Sequence, residues 1–204
     1  MPVLYLLHGV NGCEKAWQEK GGAIDTLEAM IAEGRCRPML LVMPDVNKWA
    51  FDVCSSSNKM WTCLFRYSRL SHEHELEYAV SDLIDHIDSV YHTTGMCIVA
   101  GLSDGARISA NVANVRPERV SQVGLFSPVL KKEQLPANQQ TDSTLSYHVY
   151  VGKGDIFYAS SRRFHRRMER RHYPHRFIVL RGTHDWPVWR NSLSDFLRQL
   201  SMSE

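Results

Sequence analysis

The stretch VAGLSDGARIS (Val99–Ser109) puts one serine between two glycines directly after an apolar run. Gly101, Ser103 and Gly105 fit the pattern G-x-S-x-G, which is too short to carry an argument alone. Its setting strengthens it. Met96–Ala100 reads as a buried strand, and Ala106 to Val115 as a helix stopped before Pro117. Ser103 therefore sits at a strand-to-helix turn. Flanking glycines relieve crowding around a strained backbone there, and the free amides of the helix N-terminus point at the serine. The competing reading is an ordinary loop serine or helix cap in a tight turn.

Outward from this turn, short β-rich runs recur along the chain at Val3–Leu7, Met39–Met43, Val120–Phe126, Tyr147–Val151 and Phe177–Leu180. Continuous apolar runs of this length suit strands covered on both faces, as in a parallel sheet. Between them lie helical patterns. Leu76, Val80, Leu83, Ile84, Ile87 and Tyr91 recur at three- and four-residue steps, and two further helices are predicted from Tyr158 to Arg171 and from Val188 to Leu200. The alternation predicts one α/β domain over residues 1–204, with a mostly parallel central sheet and helices on both faces. The stretch from Asp45 to Ser71 has no clear period and reads as a long excursion.

A nucleophilic serine needs a base, and the base needs an orienting carboxylate. In this architecture they follow in the order serine, acid, histidine, each after a later strand. Asp155 follows Tyr147–Val151 in VYVGKGDIF, and His184 follows Phe177–Leu180 in IVLRGTHDWPVW. Both fall at carboxyl ends of strands, where open α/β sheets bind ligands. Asp185 is the rival acid, but a residue next to His184 rarely reaches that ring. An oxyanion hole requires two amides aimed at the developing charge. The N–H of Asp104 is one candidate. That of Val10, in the tight loop LLHGVNG after the first strand, is the other, with His8 fixing the loop.

The bulk composition excludes several classes. With 204 residues, 24 Lys and Arg against 22 Asp and Glu, and 44% hydrophobic residues, the chain is that of a globular protein with no electrostatic case for nucleic acid. Five cysteines without C-x-x-C spacing argue against a disulfide framework or a zinc site. This mildly favours a reducing, cytoplasmic setting, and Cys97 reads as a small buried hydrophobe. No run is long enough to span a bilayer, and MPVLYLLHG lacks the parts of a signal peptide. The abrupt opening in a strand predicts that upstream sequence is missing, and a secretion signal could have been lost with it.

At PVLYLLHGVNG with Trp17 downstream, LEYAVSDLIDHIDSVY, VAGLSDGARISA, GKGD and GTHDWPVWRNSLSDFL, the chain resembles the putative-esterase family of α/β-hydrolases. That group includes feruloyl and acetyl-xylan esterases, tributyrin esterases, S-formylglutathione hydrolase and mycolyltransferases. The resemblance covers nearly the whole chain and implies Ser103, Asp155 and His184 as the triad. Two departures stand out. Family members usually carry one or two strands before the one that opens this chain. An unpaired apolar edge left by their absence favours a homo-oligomer. The second is Asp104, where the family often has methionine; a carboxylate there is expected to oppose an anionic acyl group.

Other features carry weaker expectations. SHEHE (Ser71–Glu75) resembles a metal cluster, but alternate residues on a helix do not share a face, so Ser71 reads as a cap. SRRFHRRMERRHYPHR is anchored by Phe164 and Met168 with arginines around the rest. It reads as a solvated basic face or a site for an anionic partner. Trp17, Trp186 and Trp189 are equally candidates for stacking on a substrate and for the core.

The expected activity is serine carboxylic-ester hydrolysis through an acyl-enzyme, on short-chain, acetyl or feruloyl esters, small or glycan-linked. It calls for no metal or cofactor. Two readings compete with it: an acyltransferase using the same triad, and a non-catalytic binding protein of the same fold.

Overall fold

The computed structural model describes residues 1–46, 73–130 and 145–200. Its strands are β1 (Val3–Leu7), β2 (Leu40–Val42), β3 (Cys97–Leu102), β4 (Val120–Phe126), β5 (Ser146–Gly152) and β6 (His175–Leu180). They form a sheet in the order β2-β1-β3-β4-β5-β6, parallel at every pairing. The helices are α1 (Ala16–Glu19), α2 (Ala23–Ala32), α3 (Glu73–Val90), α4 (Asp104–Val115), α5 (Tyr158–Arg170) and α6 (Trp186–Leu200). The excursion after Val46 and the SHEHE cap at Ser71 lie outside the described residues.

Parallel pairing requires crossovers, and the helices they supply cover both faces of the sheet. Alternation along β1 shows the result: Val3, Tyr5 and Leu7 join one core cluster, while Leu4 and Leu6 join the other. The first cluster is closed by Val80 and Ile84 of α3, Ile108 and Val112 of α4, and Phe164 and Met168 of α5. The second is closed by Leu27 and Met30 of α2 and by Leu193, Phe196 and Leu197 of α6. Each fully buried Leu, Phe or Met contributes on the order of 1.5–3 kcal/mol relative to exposure, before the entropy of ordering the chain is set against it.

The chain runs from β1 outward to β2, then returns across β1 to place β3 on its other side. This reversal opens a crevice at the carboxyl ends of β1 and β3, between the first loop and the Ser103 turn. The opening strand β1 is therefore not at the edge. Among the described residues the edge on that side is β2, three half-buried residues long. No helix among the described residues is long and apolar enough to cross a membrane.

Candidate active site

Ser103 occupies the junction of β3 and α4 with φ 53° and ψ −113°. For a non-glycine residue such a backbone costs roughly 1–3 kcal/mol and persists only where its surroundings enforce it. Here the Ser103 amide donates to the Phe126 carbonyl at 2.8 Å, fixing the turn to the end of β4. Close approach explains the glycine at 105: a Cβ there would collide with the His8 carbonyl and lie 2.7 Å from that of Leu7. The start of α4 is thus pressed against the end of β1. Gly9, across the crevice, is constrained in the same way, since a Cβ on it would lie 2.7 Å from Leu102 Cδ1 and 3.1 Å from Ser103 Cβ.

The loops after β5 and β6 bring Asp155 and His184 to this turn. His184 Nε2 lies 3.1 Å from Ser103 Oγ, and His184 Nδ1 lies 3.0 Å from Asp155 Oδ2 and 3.2 Å from Oδ1. A carboxylate at Nδ1 selects the tautomer with its proton on that nitrogen, leaving the Nε2 lone pair facing the serine hydroxyl. The ring is held between the edges of Phe157 and Trp189, at centroid distances of 5.1 and 5.0 Å. Burial works to raise the Asp155 carboxyl pKa, but hydrogen bonds from His184 and from the Phe157 amide at 2.8 Å outweigh it and hold the group below its ordinary value. The buried Ser127 hydroxyl adds to this from outside good hydrogen-bond geometry. Asp185 is engaged elsewhere. Its carboxylate accepts from Thr183 Oγ1 at 2.6 Å and from the Val188 amide at 3.2 Å, which caps the first turn of α6.

The loop after β1 is organised by His8, which is 2% exposed. The Val46 amide donates to His8 Nε2 at 3.0 Å, so Nδ1 carries the proton and donates to the Gly9 carbonyl at 2.8 Å. Asp45 Oδ1 lies 3.1 Å from Nε2. The Gly12 amide also donates to the Gly9 carbonyl, at 3.0 Å. Because the peptide is trans, fixing that carbonyl turns the Val10 N–H to the opposite side. Asp104 begins α4, so its N–H is one of the orphan donors of a helix start.

A cavity of about 300 Å³ opens beside these groups, walled by Val10, Ile156, Phe157, Trp186 and Trp189, with Ser103 and His184 in its lining. Trp186 and Trp189 thus reach it, and their rings meet edge to face at 5.2 Å. Trp17 does not. It is 1% exposed, donates its indole N–H to the Leu7 carbonyl at 2.9 Å, and packs edge-on against Phe126 and Trp186. Of the two readings open for it, core or stacking surface, these contacts place Trp17 in the core and not as a substrate-binding residue.

Asp104 also departs from expectation. Its carboxylate is outside the cavity lining and accepts from Arg107 Nε at 2.7 Å, with both side chains nearly buried. The adjacent guanidinium compensates its charge, so the predicted opposition to an anionic acyl group loses its basis. Arg107 is the site-supporting residue that sequence reasoning missed: Asp104 lay before the predicted start of the helix at Ala106, so the i,i+3 spacing of the two appears only in the structure, where the helix begins at Asp104. Ile156 and Phe157 were missed as well. Their sequence signal was only their place directly after the predicted acid.

Among the described residues, Cys13, Cys36 and Cys97 form no disulfide. Burial pushes the Cys97 thiol up to about 12, which keeps it protonated and inert.

Several solved structures share this architecture. A ferulic acid esterase aligns over 100% of this chain and 86% of its own, with a TM-score of 0.76 at 19% identity. The ferulic acid esterase of Anaeromyces mucronatus, solved with ferulic acid, aligns over 97% of this chain and 78% of its own, with a TM-score of 0.74 at 18% identity. The S-formylglutathione hydrolase of Staphylococcus aureus covers 99% and 81%, with a TM-score of 0.72 at 16% identity. At such identities the likeness establishes the α/β-hydrolase fold. The family model described as "Putative esterase" matches residues 1–200, nearly the full length. The chain belongs to that family, and it is a carboxylic ester hydrolase.

Proposed function

We propose that residues 1–204 act as one α/β-hydrolase domain that cleaves esters through an acyl-enzyme on Ser103. The observation that carries this reading is the position of the His184 ring, 3.1 Å from Ser103 Oγ on one nitrogen and 3.0 Å from Asp155 on the other. Ser103 Oγ attacks the ester carbonyl carbon while its proton passes to His184 Nε2. Asp155 accepts from Nδ1–H and stabilises the imidazolium. The Val10 and Asp104 amides receive the tetrahedral oxyanion, a contribution worth on the order of a hundred- to a thousandfold in turnover for each donor. Collapse expels the alcohol with the proton from His184. Water, deprotonated by the same nitrogen, then releases the acid and restores the hydroxyl.

The size and walls of the cavity support a small acyl group. At about 300 Å³ it lies at the small end of ligand sites. Its aromatic walls suit an acetyl, short aliphatic or single-ring feruloyl acyl group, and Trp186 and Trp189 stack on the bound group.

Intact-mass analysis after a fluorophosphonate probe tests the mechanism. The wild type is expected to take a single adduct and Ser103→Ala none, with ester turnover of the variant down at least a thousandfold. No adduct on folded wild type, or a variant that keeps its activity, would remove Ser103 as nucleophile.

A further inference from the structure

We infer that the outward face of α5 is a docking surface for a bilayer carrying anionic phospholipids. Residues 156–184 hold eight arginines and a single acid, Glu169, a balance of +7 in a chain whose total is +2. The remaining residues are therefore net acidic at −5, and the molecule has a strongly polarised charge distribution.

The arginines are arranged, not merely abundant. Ser161, Phe164 and Met168 bury one side of α5. At 100° per residue, Arg162, Arg163, Arg166 and Arg170 project from the opposite side, and all four are exposed. Arg162, Arg166 and Arg170 form one i,i+4 ladder spanning about 12 Å. Arg163, Arg167 and Arg171 form a second. Like charges at this spacing weaken a helix instead of supporting it. Arg162, Arg163, Arg166, Arg167 and Arg170 make no ion pair among the described residues; Glu169 faces His165 at 3.6 Å. Arg167 and Arg170 gain from the helix dipole at the last turn. Arg162 and Arg163, near the positive end, gain nothing from it. Among the described residues no side chain supplies their counter-charge.

Shape and neighbouring groups favour a bilayer over a soluble polyanion. A surface helix presents a convex ridge, which a flat layer of headgroups can meet along its length. Two exposed apolar side chains stand by the N-terminal end of α5: Ile156, 55% exposed, and Val179, 42% exposed. Val179 alternates with Phe177, which packs into the core on the α5 side of the sheet, so it shares that face. A soluble polyanion makes no use of these groups, whereas the acyl boundary of a leaflet accepts them. Basic residues near an anionic leaflet each add roughly fivefold to partitioning.

Co-sedimentation of the full chain with phosphatidylcholine vesicles, with and without 30 mol% phosphatidylglycerol, tests this. Binding is expected only with phosphatidylglycerol, falling steeply as salt rises. Arg162→Gln with Arg166→Gln and Arg170→Gln should weaken it on the order of a hundredfold. Circular dichroism and hydrolysis of a water-soluble ester should stay at wild-type level, showing the fold intact. Val179→Ser should lower vesicle binding severalfold and leave binding to soluble polyphosphate unchanged. Equal binding to both vesicle types, no binding to either, or wild-type binding by the triple variant would overturn the inference. So would polyphosphate binding that matches anionic vesicles at equal charge and is equally insensitive to Val179→Ser; that result would assign the ridge to soluble polyanions.

Discussion

Two buried aspartates flank the nucleophile in space and meet opposite fates. Asp155, in the loop after β5, faces an imidazole, which in the proposed mechanism gains and loses a proton during turnover. Asp104, the first residue of α4, faces a guanidinium that never does. In the proposed mechanism the electrostatic energy of the first pair changes as His184 becomes charged, which suits it to chemistry. The second is inert, because its energy is the same throughout the cycle. Side-chain type does not separate the two roles. The partner does.

The sharpest break between them is Asp155→Asn. Losing the charge behind His184 while keeping its shape should lower kcat on the order of ten-thousandfold, with KM and melting temperature nearly unchanged. Arg107→Met should do the reverse. It strands the Asp104 carboxylate in a nearly buried site, which costs about 3–5 kcal/mol by denaturant titration, while the protein that remains folded keeps its turnover within about tenfold. A comparable fall in turnover from both variants would erase the distinction.

His148 supplies a third case, a buried ionisable group with no counter-charge in contact. Its ring Nε2 donates to Gln122 Oε1, 2.9 Å away, and burial, with Arg176 adding, pushes its pKa down to about 4. The unfolded chain therefore binds the proton more readily. Stability should be complete above about pH 6.5 and fall by roughly 3 kcal/mol as pH drops towards 4. His148→Gln should flatten that segment of the curve. The smallest effect belongs to Asp185. Asp185→Ala removes the cap of α6 and should cost about 1 kcal/mol, with far less effect on kcat than Asp155→Asn.

The strands, and the loops that carry Ser103, Asp155 and His184, were legible because strand ends are marked by turn residues. Val3–Leu7 and Val120–Phe126 match their predicted limits, and the helices after β3, β5 and β6 begin within two residues of expectation. Asp155 and His184 could be chosen because a parallel sheet delivers all its carboxyl ends to one edge. What escaped was local or set by folded-back loops. Ala23, Leu27 and Met30 carry the period of α2, but its ten residues follow a glycine pair that reads as a loop. The fate of Trp17 depended on the Leu7 carbonyl ten residues earlier, a contact that no periodicity announces. The Asp104–Arg107 pair is an i,i+3 pair only because α4 begins two residues earlier than its apolar period, at Asp104.

The close contacts around Gly9 and Gly105 have a mechanical consequence. The loop that offers the Val10 amide rests directly on Leu102 and Ser103, and the first turn of α4 rests on the carbonyls of Leu7 and His8. The proposed attacking oxygen and oxyanion donors are therefore mounted on one block. Thermal motion of that block carries both together, like two marks on the same ruler, and leaves their separation almost constant. Acyl transfer depends on that separation and not on where the block sits, so the reaction is shielded from breathing elsewhere in the sheet.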